Sequence, residues 1–285
     1  MAQDRERPGE DRQLLDHFRE KVATSCRILA QHGLVQGSTG HVSQRVPGTD
    51  DILIRGRPHV DKGLRFTEPS SIIRVGPDAL PVGDTHGVSR VAEIYLHTEV
   101  YKRRPEVNSV IHAHPPGALL CTINNVPLRP MFGGFSPPAR AIAESGVPIY
   151  DRSITLHTLE ETVPMLDLMG NHDLILLSRH GILVCGRSVE EATSRALNLE
   201  LLARMCWMAT PHSEPGEILD VDKEEFARRD RASAEARAAG RNLRAEMTPG
   251  GAAAGEGGDG GWTYLTALLE AGPAQFDDIG MGLRF

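Results

Sequence analysis

Ser109-Val-Ile-His112-Ala-His114-Pro-Pro116 is the stretch on which the reading of this chain turns. Its histidines alternate with apolar residues in the period of two that marks a β-strand, and the two prolines end it, because proline has no N–H for a sheet ladder. Alternate residues of a strand face one side, so both imidazoles converge on one point. Two imidazoles in an apolar strand each need a polar partner. A divalent metal satisfies both. Two backbone carbonyls do so equally well, and the strand alone leaves these readings even.

Working outward, residues 91–104 read as a helix broken at Pro105, and this helix carries Glu93. A carboxylate there can ligate a metal or move a proton beside it; it can also be a plain surface glutamate. Downstream, the strand at residues 174–177 runs into the turn Ser178-Arg-His180-Gly181. A histidine at a strand end is a normal place for a ligand, although most are simple turn residues. Gly181 permits a positive φ or a close backbone approach. Residues 182–185 read as the returning strand.

The remaining elements give an α/β domain over residues 11–210. Apolar residues at Leu14, Leu15, Phe18, Val22, Cys26, Leu29 and Ala30 have helical spacing, closed by Gly33. Short strands are expected at Val42 and at residues 52–54, around the turn Pro47-Gly48-Thr49-Asp50, and again at residues 72–75 and 147–150. Residues 188–208 read as a helix with Ser188 as N-cap and Glu191 completing a capping box. Residues 1–10 are polar and expected to be disordered. Residues 211–285 form a tail with a helix over 222–247, the linker TPGGAAAGEGGDGG and a short docking helix at 262–271. No internal repeat is visible.

Composition narrows the function classes. The 285 residues include 40% hydrophobic and 24% charged residues, which is ordinary for a globular protein. With 31 basic against 38 acidic residues the net charge is −7, which argues against a nucleic-acid partner. The most basic stretch, residues 228–244, is diluted by acids and reads as a solvated helix face. The four cysteines are scattered without CxxC spacing, so neither a disulfide framework nor a zinc–thiolate site is expected. No run approaches the roughly 20 apolar residues of a membrane span. The charged first 20 residues hold no signal-peptide core, so the cytoplasm is the expected location.

At this point a resemblance becomes specific. Glu93-Ile-Tyr-Leu-His97, Arg104-Pro-Glu-Val-Asn108, Val110-Ile-His-Ala-His114 and Ser178-Arg-His-Gly181 are similar to the spaced motifs of the class II aldolase/adducin family. The Gly37-Ser-Thr-Gly-His-Val-Ser43 run resembles that family's loop near the start. The resemblance implies a three-layer α/β/α domain with a central, mainly antiparallel sheet. It implies a homotetramer with sites between subunits. It makes His112, His114 and His180 ligands of one divalent metal, whether Zn, Fe(II) or Mn, and Glu93 the acidic catalytic residue.

The departures matter too. Sugar-phosphate members carry serines just before the glutamate, where this chain has Arg90-Val91-Ala92, and His41 replaces a loop asparagine. In place of a phosphate loop stands Ile54-Arg-Gly-Arg57-Pro58. Arg55 and Arg57 can clamp a carboxylate instead, or merely serve solubility. With Ser38, Thr39 and His41 they are the candidate substrate-binding residues. His59, His86 and His157 have no supporting pattern and are expected at the surface. Gly40-His-Val-Ser43, Ile54-Arg-Gly-Arg57, Gly63-Leu-Arg-Phe-Thr67 and Leu128-Arg-Pro-Met-Phe-Gly133 resemble a subgroup acting on aromatic acids. That subgroup includes dihydroxyphthalate-type decarboxylases and the 4-hydroxy-3-prenylbenzoate synthases, which are iron oxygenases. The expected function is therefore a metal-dependent carbon–carbon lyase, a decarboxylase before an aldolase, acting on a small non-phosphorylated, hydroxylated aromatic carboxylic acid. The alternatives are a non-haem iron oxygenase and a non-catalytic adducin-like module.

Overall fold

Strands β1 (His41–Arg45), β2 (Ile52–Arg55), β3 (Ile72–Val75), β4 (Ser109–Ala113), β5 (Ile149–Tyr150), β6 (Leu174–Leu177) and β7 (Gly181–Gly186) form one sheet in the order β3-β2-β1-β4-β7-β6-β5. Every pairing is antiparallel except β5 with β6. The computed structural model describes residues 12–210 and 223–239, together with Trp262, Leu265, Thr266, Leu269 and Glu270.

The period of two sorts each strand onto two buried faces. Val42, Leu53, Ile111, Ala113, Ile182 and Val184 point to one side. There they meet α1 (Arg12–Gln31), α3 (Pro116–Ile123), α4 (Pro137–Ser145) and α6 (Val189–Ala209). Ile54, Val110, Ile175, Leu177, Leu183 and Cys185 point to the other, under α2 (Tyr95–Arg103) and α5 (Leu159–Met169). The result is the α/β/α layering that the motifs imply. Among the described residues no helix is long and apolar enough to cross a membrane. All four cysteines are buried, and burial pushes Cys26, Cys121 and Cys185 up to about 12.

Three helices are absent from the sequence reading, and proline hides each of them. Helix α3 starts at Pro116 and α4 at Pro137, after its N-cap Ser136, whereas α5 contains Pro164. Proline reads as a breaker, yet it is well suited to a first helical turn. Two local expectations need correction. Residues 92–94 form a turn and α2 begins only at Tyr95, so Glu93 lies before the helix rather than on it. At α6 the Ser188 side chain accepts from Glu191 N, but the Glu191 carboxylate accepts from Arg187 N at 2.7 Å, one residue outside a capping box.

The tail is partly in view. A seventh helix, α7, spans Lys223–Ala238; residues 222 and 240–247 of the expected helix lie outside the described residues. Trp262, Leu265, Thr266, Leu269 and Glu270 are helical, and Trp262 packs against the core on the α1 and α6 side of the sheet. Residues 1–10 and the glycine-rich 248–261 lie outside the described residues.

One buried carboxylate anchors the segment that follows His114. Glu200 on α6 accepts from Gly117 N at 2.9 Å, Ala118 N at 3.1 Å and Arg204 Nε at 2.5 Å. It thereby satisfies two free N–H groups at the start of α3. Glu200→Ala leaves those donors and a largely buried guanidinium unpaired. It is expected to destabilise the fold by roughly 3 kcal/mol, read as a lower Tm; an unchanged Tm would contradict this anchoring role.

Candidate metal centre

His112 sits on β4, the central strand, opposite His41 on β1 and Leu183 on β7. Its side chain is fully buried. Its Nδ1 lies 2.9 Å from the carbonyl oxygen of Ile182, which only accepts, so Nδ1 carries the proton. In the neutral ring this leaves Nε2 bare, 2.9 Å from His114 Nε2. His114 stands two residues on, just past the end of β4, with its backbone N–H on the Leu34 carbonyl.

His180 arrives from the turn between β6 and β7. Arg179 there has φ of 61°, and Gly181 lets the turn close on its neighbour. A Cβ at Gly181 would come within 2.7 Å of the His114 ring and closer still to the Ala113 carbonyl. The glycine is needed for this close approach, since its φ is not positive.

Glu93 completes the group. Its Oε1 accepts from Leu156 N at 3.0 Å and lies 3.6 Å from His180 Nε2; its Oε2 is 3.2 Å from His112 Nε2. One ligand atom from each of Glu93, His112, His114 and His180 lies within 4.8 Å of the other three. Burial raises the Glu93 pKa, but the bond and charge of His112, the charge of His180 and the Leu156 N–H outweigh it and hold the carboxyl at about 2. An ionised oxygen 3.2 Å from His112 Nε2 needs a positive charge between them, which a proton on that nitrogen supplies in the metal-free protein and a metal ion can supply in its place. The donor set thus fits a divalent metal.

Four imidazoles of this region, His41, His97, His114 and His180, have lowered pKa values. Burial, with the charge of His112, lowers His97 and His114 to about 3 each, and His41 and His180 are lowered for the same reasons. An unfolded imidazole binds its proton below about pH 6.5. Between about pH 6.5 and 3 the unfolded chain therefore holds more protons than the fold. This share of stability is complete above pH 6.5 and lost as pH falls through that window. Glu93 adds in the same direction from 4.5 down to about 2. The Tm of metal-free protein is expected to drop steeply between about pH 7 and 4.5. A flat profile would show that these rings are not held neutral.

The other sequence candidates divide. Arg55 is 1% exposed, and its guanidinium is held by Asp61 and the Ser38 carbonyl, so as placed it presents no surface to a ligand. Arg57 is 34% exposed and lies within electrostatic reach of Glu93, His41 and His114, while also holding Asp61 and the Ser38 carbonyl. Burial and Arg55 lower its pKa, against Asp61 and Glu93. Thr39 Oγ1 donates to the Gln36 carbonyl at 2.7 Å, within its own turn. His41 is buried, with Nε2 4.0 Å from Glu93 Oε2. His59, His86 and His157 are exposed, as expected. Sequence reading missed His97, which is fully buried with its Nε2 2.6 Å from His41 Nδ1. The signal was available: His97 and Tyr101 stand four apart on a helix, and His41 and Ser43 two apart on a strand.

Comparison with known proteins identifies the family. The class II aldolase and adducin N-terminal domain matches residues 20–207. A 3,4-dihydroxyphthalate decarboxylase of Arthrobacter keyseri is 35% identical over 212 residues, covering 73% of this chain and 84% of that protein. The Rhodococcus jostii protein of the same name is 33% identical, covering 73% and 86%. An aldolase II superfamily protein from Pseudomonas syringae has the same fold, with a TM-score of 0.67 at 22% identity over 94% of this chain and 96% of that one. From its motifs, its layered sheet and these relatives, the chain belongs to the class II aldolase/adducin family.

Proposed function

We propose that the chain is a metal-dependent carbon–carbon lyase that decarboxylates a hydroxylated aromatic acid bearing a second carboxylate. The observation that carries this reading is the convergence of three imidazoles on an ionised Glu93, with the partly exposed Arg57 beside them. The decarboxylase relatives supply the substrate class. The presence of all four residues speaks against a non-catalytic module.

His112, His114 and His180 would hold one divalent ion, Zn, Fe(II) or Mn, and Glu93 is the carboxylate of the same group. Such an ion supplies Lewis acidity that stabilises negative charge on a substrate hydroxyl oxygen. Glu93 takes the proton of a hydroxyl next to the departing carboxylate and delivers it to the ring carbon that bears that carboxylate. The bond to the carboxylate carbon then breaks, carbon dioxide leaves, and its electron pair returns to the ring. The product oxygen recovers its proton from water, so one proton is consumed per turnover. Arg57 pairs with the carboxylate that stays on the ring. Arg55 and Asp61 hold Arg57 and the Ser38–Thr39 loop in place. Assembly as a homotetramer and a cytoplasmic location belong to the same proposal.

Val91 is buried and, with Ala92, offers no hydroxyl for a phosphate. The metal-loaded protein is expected to release carbon dioxide from 3,4-dihydroxyphthalate and to leave fuculose 1-phosphate uncleaved. Robust cleavage of the sugar phosphate, without decarboxylation, would overturn the assignment.

A further inference from the structure

A file of buried polar groups runs from α2 across β1 to the centre. Tyr101 Oη lies 2.8 Å from Ser43 Oγ, which lies 2.7 Å from His97 Nδ1. His97 Nε2 is 2.6 Å from His41 Nδ1, and His41 Nε2 is 4.0 Å from Glu93 Oε2. None of the four side chains has appreciable exposure. The alignment follows from two periodicities. His41 and Ser43 share a face of β1, and His97 and Tyr101 share a face of α2, so two pairs of side chains interdigitate between helix and sheet.

The end of the file sets its polarity. An ionised carboxylate only accepts, which favours the hydrogen of His41 on Nε2. His41 Nδ1 is then bare and accepts from His97 Nε2–H. His97 Nδ1 is bare in turn and accepts from Ser43 Oγ–H, and Ser43 Oγ accepts from Tyr101 Oη–H. Each inner group donates once and accepts once. Reversing the file would point a bare His41 Nε2 at the carboxylate, two acceptors facing each other in a low-dielectric interior. Burying four polar groups costs desolvation that apolar packing would avoid, and the file leads to the centre.

We propose that His97, with Ser43 and Tyr101 behind it, is a positioning residue that holds His41 as its Nε2–H tautomer. The N–H so presented at the Glu93 edge of the centre hydrogen-bonds a substrate oxygen during bond cleavage. The part played by His41 in turnover rests on the decarboxylase reading above; its tautomer does not.

Two measurements test the proposal separately. Long-range proton–nitrogen NMR of zinc-loaded protein labelled with 15N-histidine is expected to show His41 and His97 protonated at Nε2. His97→Leu should remove the single tautomer of His41. A proton on Nδ1 of His41, or a tautomer unchanged in His97→Leu, would overturn the proposal whatever the substrate. With 3,4-dihydroxyphthalate, His97→Leu is expected to lower kcat by about 10–100-fold, with metal content and KM unchanged. His97→Gln, whose amide can accept from Ser43 and donate to His41, should recover most of the activity. It also serves where the leucine variant fails to fold. In a His41→Ala background, His97→Leu should add nothing; an additive loss would place the action of His97 elsewhere. If the wild-type protein does not decarboxylate the acid, the functional reading fails while the NMR result still decides the tautomer.

Discussion

Removing His112 or His114 is expected to strip the metal and abolish turnover. His112 is the hub of the centre: its Nδ1 is fixed on the Ile182 carbonyl, and its Nε2 lies within 3.2 Å of both His114 Nε2 and Glu93 Oε2. Loss of an outer partner of a metal ligand typically costs about 10–100-fold in affinity or activity, and loss of a ligand costs more. His112→Ala also opens a cavity in the middle of the sheet and leaves the Ile182 carbonyl unpaired, so some stability goes with the metal. His114→Ala, at the half-buried end of β4, separates the effects better. Metal content by elemental analysis is expected to fall to background while circular dichroism stays native. Full metal occupancy in both alanine variants would remove these histidines from the ligand set.

The second large effect belongs to Glu93. Glu93→Gln keeps the shape and the acceptor for Leu156 N but removes the charge and the proton-carrying oxygen. Turnover is expected to fall by about 10²–10⁴-fold, the usual contribution of a positioned acid or base. Three imidazoles remain to retain the ion. Parallel loss of metal and activity would make Glu93 chiefly a ligand. Full activity would mean that the proton comes from another group.

How far the sequence reaches is clear from particular residues. The His-Ala-His strand, the turn bearing His180 and the sheet around them were legible, because strand alternation and turn glycines act over a few residues. The convergence of Glu93 on the histidines was suggested only by family spacing, since its reach depends on a turn at residues 92–94 and on the Leu156 N–H, 63 positions away. The difference between Arg55 and Arg57 was not legible at all. Both are arginines in one short stretch, and only the tertiary placement of Asp61 and Ser38 buries one and leaves the other partly open. His97 stood inside a quoted motif, yet its partners lie 54 and 56 residues earlier. Helices α3, α4 and α5 were obscured by proline, whose local meaning depends on whether a helix begins there.

The most direct test of the central claim is an anaerobic assay of the holoenzyme with 3,4-dihydroxyphthalate, before and after chelation. The account predicts one carbon dioxide and one decarboxylated dihydroxybenzoate per substrate consumed without dioxygen, activity lost on chelation, and activity recovered when a divalent metal is returned. Turnover that requires dioxygen would replace the lyase by an oxygenase, and decarboxylation that survives full removal of the metal would contradict the centre described here.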